Sequence, residues 1–428
     1  MWTRRDLLAA AGVGAVLNVP PLRAQRGGGS PGMTGPLPPA IAALKSRKNE
    51  AVPISNAERE QRFERARELM AKNKIEAICI PGGTTLTYFT GMRWGNSERI
   101  FSLVIPRRGK PFYVSPAFEE DRVREQVPGG KDARIYTWQE DDNAYSMVGK
   151  GLRDVDILSG AVGIEEKTPF VFADGIGKAN PKYQVTNATV ITAGCRARKS
   201  PAELALMRLA CSVTIDAYEA AWKSCKEGMT TRAFSALIGQ AFTQLGFPGF
   251  ASVEVGEYSA LPHGSVQPQQ IKEGTIVLID DGCTVEGYQS DISRTFVLGK
   301  PTDKMKQVFE IVHRAQSAAL KAAGPGVQCQ MVDAAARKVI VDAGFGPGYK
   351  YFTHRLGHGM GMDGHEWPYL VKGNTQPLEP GMVFSDEPGI YIPGEFGVRL
   401  EDDMVITEKG AELLTAQSPS LERPFDKA

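Results

Sequence analysis

Histidine is scarce in this chain: five in 428 residues, none of them before His263. That absence argues against an imidazole-based metal or acid–base site in the first 262 residues. Cysteine is also sparse. The six (Cys79, Cys195, Cys211, Cys225, Cys283 and Cys329) form no C-x-x-C pair and no zinc-ribbon spacing, so they read as buried free thiols. Neither sign of charge is in excess: 50 basic and 49 acidic residues leave a formal net charge of +1. That balance excludes the electrostatic footprint of a nucleic-acid binder. No apolar run reaches the length of a membrane span. The only G-x-S-x-G, Gly28–Gly32, has no strand before it and no helix after it, which removes a serine-hydrolase nucleophile elbow. No H-E-x-x-H occurs, and "PGGTTLTYFTG" lacks the lysine of a phosphate loop.

What is present begins with an export pattern. Arg4 and Arg5 precede an apolar run from Leu7 to Leu17, and a small-residue cleavage site follows at Ala24. This resembles a twin-arginine (Tat) signal peptide over 1–24, implying a periplasmic or secreted protein with no stable membrane insertion once the signal is removed. Residues 25–50 are rich in glycine and proline and read as a flexible linker. From Ser55, a capped amphipathic helix and short buried strands (Ile75–Ile80, Ile100–Pro106, around Tyr113, near Ile164) describe an α/β domain over 51–197. Ser200, Pro201 and Glu203 then form a capping box. It opens an α+β domain over 198–416, with helices expected at Pro201–Trp222, Thr230–Gly246, Asp303–Ala323 and from Gln330.

Acids stand in apolar strands in this second domain. Ile276–Ile279 ends on Asp280, and Asp291 follows after two glycine turns. Glu387 follows "MVFSD", and Glu401 lies between apolar runs. Buried carboxylates require a partner or a cation. Strand alternation would turn Asp281, Asp386 and Asp402 to opposite faces, whereas Asp403 shares the parity of Glu401. "HRLGHGMGMDGHEWP" adds His354, His358 and His365. Four carboxylates with an imidazole exceed what one tetrahedral zinc needs, and suit a pair of divalent ions sharing bridging carboxylates. His313 lies on a helix with no acids around it and reads as structural.

The order Asp280, Asp291, His358, Glu387, Glu401 resembles the ligand set of the "pita-bread" metallopeptidases, the family of methionine aminopeptidase, aminopeptidase P and prolidase. "IDDGCTVEGYQSDISRTF", "GHGMGMDGHEWP" and "DEPGIYIPGEFGVRLEDD" look like its three signature blocks, and "LPHG" like its upstream histidine. The stretch before Ala202 is similar to the creatinase/prolidase N-terminal domain.

The resemblance implies a pita-bread α+β catalytic domain after that α/β domain. It implies hydrolysis of the bond between an N-terminal residue and proline by a metal-bridging hydroxide. Two divalent ions are expected, Mn2+ first and Co2+ or Zn2+ as alternatives, and relatives suggest a homodimer. Asp280 would chelate one ion, Asp291 and Glu401 would bridge, and His358 and Glu387 would hold the other, with Glu387 also shuttling a proton. His263 and His365 would donate to the substrate. His354 and Arg399 are substrate-side candidates, Arg399 being alternatively a partner of the carboxylates. The glycines between His358 and His365 would let the backbone pass close to the reacting peptide. Dipeptide-restricted prolidases carry an arginine shortly before the first glutamate block. Here "LVKGNTQPLEPGM" has only Lys372, which tilts the expectation toward aminopeptidase P-like activity. A small-molecule lyase on the same fold, or a non-catalytic peptide-binding relative, remain as alternatives.

Overall fold

In the computed structural model, which describes residues 35–426, the helix Asn56–Lys72 starts at the expected cap, with the Ser55 hydroxyl accepting from the Glu58 amide. The signal reading for 1–24 and the first part of the linker lie outside these residues. From Leu37 onward the chain forms one compact unit. The linker expectation is corrected over its C-terminal part. Pro39–Ala42 is a short helix, Ile41 is fully buried with the core of helices Pro201–Trp222 and Thr231–Leu245, and Arg47 pairs with Asp216 at 2.7 Å. Glycine and proline content suggested flexibility, but one isoleucine and one arginine with long-range partners are enough to fix the segment.

The N-terminal half builds one six-stranded mixed sheet. Its strands are β1 (Ala77–Pro81), β2 (Ser102–Pro106), β3 (Phe112–Pro116), β4 (Ile135–Trp138), β5 (Gly160–Ile164) and β6 (Tyr183–Asn187), in the order β4-β3-β2-β1-β5-β6. Apolar clusters cover both faces, which is why β1, β2 and β3 read as continuous apolar runs, not alternating ones. The sequence reading did not include β4 (Ile-Tyr-Thr-Trp) or β6 (Tyr-Gln-Val-Thr-Asn).

The second half pairs helices with antiparallel sheets. Pro201–Trp222 opens on the expected capping box: Ser200 accepts from the Glu203 amide and Glu203 from the Ser200 amide. With Thr231–Leu245 it packs on β7 (Gly249–Val255), β8 (Ile276–Val285) and β10 (Arg294–Val297), with the short β9 (Tyr288–Gln289) at the edge. Helices Asp303–Ala322 and Cys329–Asp342 pack on a second sheet. Its strands are β11 (Gly357–Gly359), β12 (Glu366–Leu370), β13 (Val383–Asp386), β16 (Asp402–Thr407) and β17 (Gly410–Leu413); the hairpin β14 (Gly389–Ile392)–β15 (Phe396–Arg399) completes the region. No helix among the described residues is long and apolar enough to cross a membrane.

Candidate metal centre

β8 runs past Asp280 to Val285, so the first carboxylate is mid-strand. The strand is not regular there: Asp281 has φ +100°, in the region that favours glycine. That twist defeats simple alternation, and Asp281, which parity assigned to the opposite face, borders the same cavity as Asp280. Asp291 lies in the connection between β9 and β10, its amide donating to Asp403 at 3.2 Å. Glu387 directly follows β13, and Glu401 sits one residue before β16, its amide donating to the Ser293 carbonyl. His358 is on β11. In β13 and β16, Asp386 and Asp402 face each other in register, are fully buried, and do not line the cavity, as alternation required.

One cavity of about 580 Å³ gathers all nine sequence-derived candidates: His263, Asp280, Asp291, His354, His358, His365, Glu387, Arg399 and Glu401. Ser252, Pro262, Asp281 and Arg355 complete its wall. His313 is elsewhere, on Asp303–Ala322 beside Phe309. Donor atoms converge within 4.8 Å in three overlapping sets: Asp280–Asp291–Glu401, His358–Glu387–Glu401 and Asp291–His358–His365. The first two share Glu401, the arrangement a bridged ion pair requires.

Electrostatics show what the carboxylates lack. Burial, with Asp280 and other acids nearby, pushes the Asp291 carboxyl well above its usual range. Burial and Asp291 do the same to Glu401, and burial raises Glu387 to about 8. Asp280 alone stays below its usual range: burial opposes its charge, but the Arg399 guanidinium at 2.5 Å and the Ser293 hydroxyl outweigh it. The Ser293 hydroxyl lies 2.6 Å from both Asp280 and Glu401 while accepting from Arg399. Its single proton serves one carboxylate, so the other approach needs a second proton or a cation. Oxygen-rich donors, one imidazole and unmet negative charge fit divalent cations.

Tautomers separate the two close histidines. Their rings stack with centroids 3.7 Å apart. His358 Nδ1 is 3.1 Å from the Gly359 carbonyl, so it carries the proton and Nε2 faces Glu387 (3.4 Å) and Asp291 (3.7 Å) with its lone pair. His365 Nδ1 is 3.2 Å from Arg355 Nη2, a group that only donates. The proton of neutral His365 is therefore on Nε2, which makes that nitrogen a hydrogen-bond donor in this arrangement, although the ring also stands within the Asp291–His358–His365 set. Burial and the neighbouring Arg355 hold His365 below its usual pKa, which keeps it neutral.

Arg399 is 4% exposed and donates to Asp280, Ser293, the Tyr391 hydroxyl and the Pro262 carbonyl. It is thus bound to the carboxylates, and it ties down the loop bearing the exposed His263. His354 Nε2 meets the same Tyr391 hydroxyl at 2.7 Å. Lys372 does not border the cavity. The two glycines beside His358 serve strand packing: a Cβ on Gly357 would lie 2.0 Å from the Ser385 carbonyl, and one on Gly359 2.8 Å from the Glu366 carbonyl. They let adjacent strands approach, which seats His358. Arg355 and Ser293 carried no signal of periodicity or spacing, and for Asp281 alternation pointed away from the site.

The profile of Metallopeptidase family M24 matches residues 205–408, and that of the Creatinase/Prolidase N-terminal domain matches 62–198. The Xaa-Pro dipeptidase of Lactobacillus delbrueckii subsp. lactis is 33% identical over 371 residues, covering 82% of this chain and 96% of the relative. The crystal structure of dipeptidase PepE from Mycobacterium ulcerans superposes with a TM-score of 0.81 at 31% identity, over 87% of this chain and 99% of that one. The recombinant prolidase from Thermococcus sibiricus superposes with a TM-score of 0.74 at 30% identity, over 83% of this chain and 96% of that one.

Proposed function

The chain belongs to metallopeptidase family M24, in the pita-bread branch with a creatinase/prolidase-type N-terminal domain, and from this premise we propose that it hydrolyses the bond between an N-terminal residue and a following proline. The convergence of nine candidate side chains on one cavity carries the reading. A proline nitrogen has no hydrogen and its ring fixes the backbone, so such bonds need a dedicated site.

Asp280, Asp291, His358, Glu387 and Glu401 would hold two divalent ions, Mn2+ first, with Co2+ or Zn2+ as alternatives. Bound there, the ions supply an acidified water as nucleophile and polarise the scissile carbonyl. Glu387 would also take and return a proton, a role supported by the burial that raises its carboxyl to about 8. His365, with its proton on Nε2, donates to the carbonyl oxygen as charge develops, and the exposed His263 faces the same space. Arg399 keeps Asp280 ionised.

Substrate length is read from Arg355. Its guanidinium lies over the Tyr369 ring and borders the cavity, with no carboxylate partner among the described residues. It offers the terminal carboxylate of a short substrate a partner, so Xaa-Pro dipeptides are accepted alongside longer peptides. The Arg4–Arg5 pair and the Leu7–Leu17 run support a site of action beyond the cytoplasmic membrane. The deciding experiment incubates metal-reconstituted protein with Xaa-Pro dipeptides and longer Xaa-Pro peptides and identifies products by mass spectrometry. Release of the first residue is expected. No release from any peptide refutes the reading, and an elimination product would point to a lyase.

A further inference from the structure

The loop that presents His365 is held by charges from the other half of the molecule. Asp363 and Glu366 flank Gly364–His365. Asp363 accepts from the Thr84 hydroxyl (2.6 Å) and from Lys167 (2.5 Å), with Arg196 at 3.3 Å. Glu366 lies 3.6 Å from Arg196 Nε and 3.5 Å from Lys199 Nζ. Its Oε1 also accepts from the amides of Met362 and Asp363, so the carboxylate organises its own turn while facing the two cations. From the opposite side, Gln289 grips the same turn, its amide donating to the Gly361 carbonyl and its side chain to the Met362 carbonyl.

Arg196, Lys199 and Glu366 are 4%, 7% and 3% exposed. Burying such charges is costly, and apolar side chains of equal volume serve stability as well or better. Stability therefore does not account for them. What they do accomplish is geometric: residues on and beside the helix Thr189–Ala197, which packs into the apolar cluster of the N-terminal sheet unit, set two buried cations 3.5–3.6 Å from the carboxylate next in sequence to His365, as ion pairs without a hydrogen bond. The His365 side chain is partly open to solvent, with its ring stacked on His358 and its Nδ1 accepting from Arg355.

We propose that Arg196 and Lys199, acting on Glu366, are positioning residues for His365, and that the N-terminal sheet unit thereby sets the geometry of the catalytic loop. The proposal rests on the reading of His365 as the substrate-side donor. Its physical basis is that a misplacement of about 1 Å costs on the order of 100-fold in rate. Neither cation touches substrate or the candidate metal ligands.

The test uses the full metal-loaded chain. Arg196→Ala and Glu366→Gln are made alone and in a His365→Ala background, with Arg196→Lys as the conservative variant. Alone, each of the first two is expected to lower kcat for an Xaa-Pro dipeptide by roughly 10- to 100-fold. KM should stay within about two-fold and metal content should be unchanged, since this term belongs to orientation alone. Arg196→Lys should recover part of the loss. In the His365→Ala background neither change should lower kcat further, because groups acting through one another are not additive. Equal losses with and without His365, or no loss, overturn the proposal. Glu366→Gln keeps the shape of the side chain and so carries the test if Arg196→Ala does not fold. A second readout needs no substrate. In zinc-loaded protein, the His365 ring resonance, assigned by its loss in His365→Ala, must shift in Arg196→Ala. An unmoved resonance overturns the clamp, whereas a wild-type enzyme inactive on every Xaa-Pro peptide would instead sink the activity reading.

Discussion

Replacing Arg399 by methionine should destabilise the metal-free protein far more than the metal-loaded one. The guanidinium is the only cation within 4.0 Å of the cluster's carboxylates among the described residues, at 2.5 Å from Asp280 and 4.0 Å from Glu401, and is 4% exposed. Removing one member of such a pair leaves a buried charge and costs about 3–5 kcal/mol. The loss is capped because Asp280 can take up a proton instead, at about 1.4 kcal/mol per unit of displaced pKa. With an unfolding entropy of about 2 cal/mol/K per residue over ~390 residues, that is a fall in Tm of roughly 4–6 °C. When divalent ions are bound they neutralise Asp280 themselves. The guanidinium's hydrogen bonds to Ser293, Tyr391 and Pro262 are lost in either state, three at about 0.5–1.5 kcal/mol each, or roughly 2–5 °C together, so the excess decrement in the metal-free protein is the charge term alone. Melting of wild type and Arg399→Met by circular dichroism, each with chelator and with Mn2+, measures the difference of differences. Equal decrements in the two conditions, or a larger one with metal, would refute the assignment of Arg399 as the charge partner of the carboxylates.

Other expectations are as direct. Asp291→Ala and Glu401→Ala should each bind at least one ion fewer by elemental analysis, and retention of two would remove the bridging role. The metal-free protein should lose stability as pH rises. Burial raises Glu387 and Asp403 to about 8, so the folded state holds protons that the unfolded chain has already released. Below about pH 6.5 the buried His354 and His358, both lowered to about 3, act in the opposite direction, so the fall is expected between about pH 6.5 and pH 8, and melting that improves over that range contradicts it. Arg355→Ala should free the His365 tautomer and let its pKa rise, because Arg355 is one of the groups holding it down. The acid limb of the kcat profile should then move to higher pH, and KM for dipeptides should rise more than KM for C-terminally amidated substrates. An unchanged profile would dismiss Arg355 from the site.

The site was legible in the sequence to the extent that its chemistry was anomalous there. A carboxylate in or at the end of an apolar strand is costly enough to demand a reason, and Asp280, Glu387 and Glu401 stand out on that ground, with Asp291 joined to Asp280 across the glycine turns. Reasoning from alternation held for Asp386 and Asp402, where β13 and β16 pair regularly. It failed at Asp281, because period-two arguments assume extended backbone and that residue has φ +100°. Composition misled where a few side chains outweighed it: Gly/Pro content hid the anchoring of Ile41 and Arg47. The features invisible in one dimension are contacts between distant segments, each made of ordinary surface-type residues. Nothing near Arg196 announces a partner 170 positions on, and nothing near Arg355 says that its donor will choose the tautomer of His365. Two histidines seven residues apart looked alike as letters. What separates ligand from donor is a carbonyl beside one Nδ1 and a guanidinium beside the other, and both neighbours are supplied by tertiary structure.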